Sequence, residues 1–279
     1  MERKLIITRW KEQVLTSLLE NGEIVEFHCS PNETKEQAVL GNIYVGKVKN
    51  IVPNIGAAFV EVAKGVECYY ALDENETPIF TQKIGKKPLC IGDELLVQVS
   101  KEAVKTKVPT VSGKLSFTGK YAVLTTGDTR IGISSKLPKE SREHFQKLAA
   151  SYQSDAYGFI IRTNAKDVAE EVLKAELEQL IQEYEELVKI AGTRVCYSCL
   201  KKAPKQYLSE LKNIYQDGLK EIVIEDPILY EETIAYLKMY QPEDLGKVHH
   251  YEDTLLPLDK LHNIERKLED ALKERVWLK

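Results

Sequence analysis

From Gly41 to about Gly119 the chain is cut into short β-rich runs, GNIYVGKVKNIV, GAAFVEVA, ECYYAL and DELLVQVS, parted by clusters of glycine, proline and asparagine. Short strands punctuated this way suit a small antiparallel barrel. Gly46 and Gly56 fall inside or beside the strand patterns, where glycine marks bulges and barrel corners. The spacing predicts an OB-type barrel.

The flanking sequence has a different texture. Residues 3–28 read as strands, LIIT and then VLTSLLENGEIVEFH, with Asn21-Gly22 as a hairpin signal. PNETKEQ is a polar linker or crossover. After the barrel come strands at KYAVLTT and RIGISS, a helix opened by Pro138, and a strand at YGFIIRT. A long helix follows, with Val168, Val172, Leu173, Leu177, Leu180, Ile181, Tyr184 and Leu187 on one stripe and Gly192 as its stop. Its other faces, with Glu170, Glu171, Glu178 and Glu185, read as solvated and as repelling anions. The last part alternates strand and helix: RVCYSCL, a helix near Pro204–Tyr215, EIVIE, a helix from Pro227 to about Tyr240, and a terminal helix from about Asp259. LIIT and EIVIE are apolar enough to share one sheet, which makes the barrel an insertion into an α/β domain. The fold class is α+β and multidomain.

A length of 279 residues predicts two or three folding units. The hydrophobic fraction of 43% and charged fraction of 29% are those of a globular protein that folds. MERKLIITRWKEQVL interrupts any export signal with Trp10, Lys11 and Glu12, and no window has the roughly 18 apolar residues of a membrane span. The expectation is a cytoplasmic protein with no integral membrane segment. Cys29, Cys68, Cys90, Cys196 and Cys199 are too few and odd in number for a disulfide framework. The net charge of −4 excludes a protein that coats nucleic acid through overall basicity, since such domains have a pI above about 9. Any RNA site must be local.

Tyr44, Phe59, Tyr69 and Tyr70 put rings on the barrel strands, and Lys47, Lys49, Lys64, Lys105 and Lys107 put cations nearby. Bases stack on exposed rings for about 1–3 kcal/mol each, and lysines neutralise phosphates. The same residues suit a plain barrel whose rings fill the core and whose lysines solvate it, and composition does not choose between the two. Cys196 and Cys199 form a CxxC, but on a strand of period two they point to opposite faces, which disfavours shared zinc ligation. His249, His250 and His262 lack metal-ligand spacing, and no nucleophile motif is present. The first strand, Lys4-Leu5-Ile6-Ile7-Thr8-Arg9, carries no carboxylate. Glu225 ends EIVIE and Asp226 follows it, with Asp226 better explained as a helix N-cap before Pro227.

The wording of GNIYVGKVKNIVPNIGAAFVEVAKG resembles the S-one-type RNA-binding domain of the ribonuclease E/G family. GFIIRTNA, residues 158–165, resembles that family's block ahead of a long helix, and IERKLEDALKERVWL resembles its last helix before the nuclease subdomain. The resemblance runs through essentially the whole chain in the family's order. It implies a ribonuclease H-like domain split by two insertions: residues 1–38 as its first part, 39–118 as the RNA-binding barrel, 119–194 as a 5′-sensor region, and 195–279 as its second part.

By position, the resemblance implies Phe59, Tyr69 and Lys107 as the barrel's RNA-facing residues, with Lys47 and Lys49 beside them. Tyr69 stands where the family usually has phenylalanine. The 5′-monophosphate pocket implied is Gly119, Val123, Arg162 and Thr163; a guanidinium fork matches phosphate oxygens and a hydroxyl adds a donor. Ser135 stands where the family often has arginine, which removes one cation, with Lys136 next to it. The family's magnesium-holding aspartates fall beyond Lys279 by this resemblance, and so does the zinc motif that joins its protomers. The implied function is single-stranded RNA binding and 5′-end recognition by the non-catalytic portion of an endoribonuclease acting in RNA processing and decay. Magnesium-dependent hydrolysis and oligomerisation are assigned to the complete protein. The alternative is a stand-alone regulatory RNA-binding protein that does not cleave.

Overall fold

The computed structural model describes residues 2–31, 38–72, 78–212, 219–253 and 255–273. Two compact units form, one from residues 1–34 and 204–279, the other from residues 35–203. The first unit opens with an antiparallel meander of β1 (Arg3–Trp10), β2 (Gln13–Glu20) and β3 (Glu23–Pro31). Asn21 and Gly22 carry φ values of 50° and 88° in the β2–β3 turn. Two successive positive φ angles are what the Asn-Gly signal predicts, because that turn matches the twist of its strands.

The second unit begins with β4 (Ile43–Val52), β5 (Ala57–Ala63), β6 (Val66–Ala71), β7 (Phe80–Gln82), β8 (Glu94–Lys101) and β9 (Thr110–Ser112). Pairing runs β4 to β5, β5 to β6, β6 to β9, β9 to β8, and β8 back to β4, so five strands close a barrel. Only the β6–β9 pairing is parallel. Closure removes the exposed edges that make a small sheet sticky. The interior is filled by Val48, Val60, Val62, Tyr70, Leu95 and Val97. Gly46 makes closure sterically feasible: a Cβ there would lie 2.5 Å from Val60 Cγ1 and 3.0 Å from Val97 Cγ2.

The chain continues into β10 (Ser116–Thr118), β11 (Ala122–Thr126), β12 (Ile131–Ile133), α1 (Lys139–Ala150), β13 (Tyr157–Ile161) and α2 (Glu170–Ala191). The sheet order is β10-β11-β13-β12. Its core joins Phe117, Leu124, Phe159, Leu173 and Leu177 to Ile43, Val45 and Leu96 of the barrel. β10, which precedes the expected boundary at 118/119, pairs with β11, which follows it. β14 (Cys199–Lys201), which follows the expected boundary at 194/195, pairs with β4 of the barrel. RVCYSCL is a strand only over its last residues. Tyr197 has a φ of 70° and the Ser198 N–H donates to Val195 O, which makes a turn of the rest.

The long helix ends at Ala191 as expected, but Gly192 caps it with a φ of −62°, in the right-handed region. Val172, placed on the buried stripe by its spacing, is exposed. Leu173, Leu177, Leu180, Leu187 and Ala191 carry the burial instead.

The chain then returns to the first unit with α3 (Gln206–Leu211), β15 (Leu219–Ile224), α4 (Pro227–Tyr240), β16 (Val248–His250), α5 (Leu258–Leu261) and α6 (Ile264–Ala271). The sheet order is β16-β15-β1-β2-β3, with β1 parallel to β15. LIIT and EIVIE do share a sheet. Leu5 and Ile7 pack with Tyr207, Leu229 and Leu237, while Ile6 packs with Leu258, Ile264 and Leu268 on the opposite face. A strand covered on both sides reads as a continuous apolar run. The terminal helix is two helices, separated at Asn263, whose φ is 51°. Residues 213–215 of the expected helix near Pro204–Tyr215, and 274–278 of the terminal block, lie outside the described residues, as do residues 32–37 of the polar linker. The observed class is the expected one, mixed α+β with an OB-type barrel and an α/β domain.

Candidate nucleic-acid interface

Strand alternation decides which barrel aromatics face out. On β5, Ala58 and Val60 are fully buried and Phe59 between them is half-buried; on β6, Cys68 and Tyr70 are buried and Tyr69 is half-buried. Phe59 and Tyr69 are direct cross-strand partners, with ring centroids 6.4 Å apart at an interplanar angle of 86°. Tyr44 and Tyr70 are only 5% and 2% exposed and belong to the interior, so they offer no stacking surface. Their rings are core, and the other two are on the outer wall.

Lys107 lies exposed in the loop that joins β8 to β9, where backbone hydrogen bonds of 3.0 and 3.2 Å tie it to Val104. Pro109, at the end of that loop, accepts the Tyr69 N–H at 2.8 Å. The loop is thereby anchored beside the strand that carries Tyr69. In OB folds, strands two and three and the loop between strands four and five form the binding face, and β5, β6 and residues 102–109 occupy those positions.

Lys47 and Lys49 stand differently. Lys47 lies 3.4 Å from Glu94 and Lys49 3.2 Å from Glu61, so their charges are already matched within the barrel. Glu61 also accepts from the Tyr197 hydroxyl and from the Gly65 N–H at 2.8 Å. The tyrosine hydroxyl first, then the amide, hold its carboxyl down at about 2. Lys64, Lys105 and Lys107 have no carboxylate within ion-pair distance among the described residues.

A second constellation sits at one end of the β10–β13 sheet. The Arg162 guanidinium donates to Gly119 O at 2.8 Å and Lys120 O at 3.4 Å, and the Arg162 N–H donates to Tyr121 O at 2.7 Å. Thr163 follows directly, its Oγ1 2.7 Å from Ser134 Oγ. Val123 pairs with Ile160 across the sheet. The four residues expected around a phosphate thus share one end of the sheet, and Gly119 and Arg162 touch. Ser135 is exposed beside Ser134.

Glu176 of α2 organises this end, and the sequence reading passes over it. Its carboxylate accepts from the backbone N–H groups of Lys120, Tyr121 and Ala122 at 3.0, 2.7 and 2.7 Å. Three successive amides aimed at one anion form a nest. A Cβ on Gly119 would lie 2.4 Å from Glu176 Oε1, so glycine is required where turn and carboxylate meet. The signal was available: Glu176 falls three residues after Leu173 and four before Leu180, inside the apolar stripe.

The remaining candidates resolve as structure. Asp226 caps α4, accepting from the Ile228 and Leu229 N–H groups at 3.0 and 2.9 Å, and pairs with Arg9. Burial opposes its charge, but Arg9 and the helix amides outweigh it and hold the carboxyl below the usual range. Burial pushes the Cys196 thiol up to about 11, the reverse of a reactive thiolate. Among the described residues no group of three or more His, Cys, Asp or Glu is placed to hold a metal ion. Asp226 itself does not fit a magnesium ligand, because it already serves Arg9 and the start of α4. Among the described residues no helix is long and apolar enough to cross a membrane.

Residues 116–279, more than half of the chain, match the model of the ribonuclease E/G family. This chain belongs to that family. Relatives matching over the full length are the Ribonuclease G of Salmonella typhimurium and that of Escherichia coli K12, each 26% identical, with 59% of the relative covered. Ribonuclease E of Haemophilus influenzae is 24% identical, with 30% of it covered. The chain therefore spans about three fifths of the two Ribonuclease G relatives. In ribonuclease E/G terms, both constellations lie in the second unit, and the family match includes the whole of the Gly119–Thr163 end.

Proposed function

We propose that this chain binds single-stranded RNA on the outer wall of its barrel and recognises the RNA's 5′ end at the Gly119–Thr163 end of the second sheet. It would act in the cytoplasm as a non-catalytic portion of a ribonuclease E/G-type protein. One observation carries the proposal: Phe59 and Tyr69 stand side by side on the outer face of β5 and β6, with the exposed Lys107 in the neighbouring loop. Rings there stack on unpaired bases, and the ammonium group neutralises phosphate. Lys47 and Lys49 contribute less than their number suggests, since Glu94 and Glu61 hold them.

At the other constellation, Arg162 and Thr163 supply the donors for a terminal phosphate, with Gly119 shaping the turn and Val123 on the adjoining strand. The Arg162 guanidinium is held against the turn by two carbonyls, which lowers the entropy cost of presenting it. Hydrolysis, with the magnesium it needs, is assigned to residues other than those described here.

The test is fluorescence anisotropy with single-stranded RNA carrying either a 5′-monophosphate or a 5′-hydroxyl. Binding that weakens with salt, falls on Phe59→Ala, and loses its preference for the monophosphate on Arg162→Gln supports the proposal. Binding indifferent to Phe59→Ala and to salt removes the barrel from it, and equal affinity for the two RNA ends removes the 5′ site.

A further inference from the structure

The basic face of α1 has no role in either constellation, although it adjoins one of them. A groove of about 640 Å³ runs between α1 and β12, lined by Ile133, Lys139, Arg142, Glu143, Gln146 and Lys147. Strand β12 is the edge of its sheet, so among the described residues no further strand covers the groove from that side. The three cations of the lining outnumber its single carboxylate, and the exposed Lys136 precedes Lys139 by three residues. None of these four cations has a carboxylate within ion-pair distance among the described residues, in contrast to Lys47 and Lys49. Helix α1 also starts here without a side-chain cap, the partial positive charge of its first turn being offset in part by Glu140.

Position gives this charge its meaning. Ile133, in the groove wall, is followed by Ser134, whose Oγ contacts Thr163 Oγ1 at 2.7 Å and accepts the Lys136 N–H at 3.4 Å. The groove wall at Ile133 is thus one residue from Ser134, which touches the proposed 5′ site. Lys139 to Lys147 covers about 12 Å at the helical rise of about 1.5 Å per residue. That is the length of roughly three or four stacked nucleotides at about 3.4 Å each.

We infer that the α1–β12 groove is a backbone track, in which Lys136, Lys139, Arg142 and Lys147 neutralise the phosphodiesters of the first few nucleotides behind an RNA 5′ end. The inference rests on the proposed RNA binding and extends it to a surface with its own length requirement. Lysine and arginine without aromatic neighbours in the lining contact phosphates and not bases, so the track is indifferent to sequence. It also places strong local binding on a protein of net charge −4.

The test compares the chain with Lys139→Gln/Arg142→Gln, using 5′-monophosphorylated oligouridylates of two and six nucleotides in anisotropy titrations across salt. Each phosphate contact on a single strand contributes about 0.7 to the salt slope, or about five-fold in affinity at 0.1 M salt. The double variant is expected to bind the hexamer about 25-fold more weakly, with a slope smaller by about 1.4, and to bind the dinucleotide as the parent chain does. Lys147→Gln, a single exposed change, is expected to cost the hexamer about five-fold and keeps the test open if the double variant misfolds. A parent chain that binds the hexamer, with both variants matching it within two-fold, overturns the track and leaves the barrel proposal standing. A parent chain that binds no RNA overturns both.

Discussion

Replacing Glu176 by alanine removes the common acceptor of three consecutive amides, those of Lys120, Tyr121 and Ala122. Hydrogen bonds to a charged acceptor contribute about 1.5–3 kcal/mol each. Glu176 is half-buried, so water reaches part of the turn once the carboxylate is gone, and a value below that range applies, about 1 kcal/mol per amide. The expected loss is about 3 kcal/mol, far outside the ±0.5 kcal/mol or so of ordinary surface changes. Urea unfolding with an unchanged m-value measures it. Glu176→Gln, which keeps one oxygen but turns an N–H pair toward the amides, should fall between the two. Gly119→Ala should also destabilise, because its methyl would sit 2.4 Å from the carboxylate. A Glu176→Ala loss under about 1 kcal/mol would show that the nest is incidental and that the turn holds its shape through Arg162 alone.

Phe59→Ala should weaken single-stranded RNA binding by about 1–3 kcal/mol with unfolding free energy nearly unchanged, whereas Tyr70→Ala should destabilise the barrel by about 3–5 kcal/mol as a core truncation; affinity and urea titrations of both variants separate wall from core. Glu61 has a folded pKa of about 2 against an ordinary 4.5, so its stabilisation is complete above about pH 4.5 and lost as pH falls toward about 2. Glu61→Gln should flatten that part of the acid-unfolding curve, and an unchanged curve contradicts the Tyr197 and Gly65 contacts. Asp226→Asn should retain most of the α4 cap and lose only the Arg9 attraction, while Asp226→Ala loses both, about 1–2 kcal/mol; thermal melts that rank the two equally would deny the cap.

Local chemistry was legible wherever one residue and its neighbours suffice. The Asn21-Gly22 turn, the Asp226-Pro227 helix start and the apolar β1 and β15 strands were all readable in this way, because φ preference, capping and hydrophobic runs act over a few residues. The barrel and the family resemblance followed from the Gly41–Gly119 runs and the block from Gly158 to Ala165. What the chain alone left open was direction and partnership. Phe59 and Tyr69 differ from Tyr44 and Tyr70 only through the register of a closed barrel, in which one step along a strand exchanges wall for interior. Lys47 and Lys49 lost their freedom to Glu94 and Glu61, which stand 47 and 12 positions away in the sequence. Glu176 became a keystone because folding carried three amides from 54 to 56 residues upstream onto its carboxylate. Which residues carry a ring or a cation is written in one dimension, but which of them already have partners is settled by long-range contacts that only the tertiary structure creates.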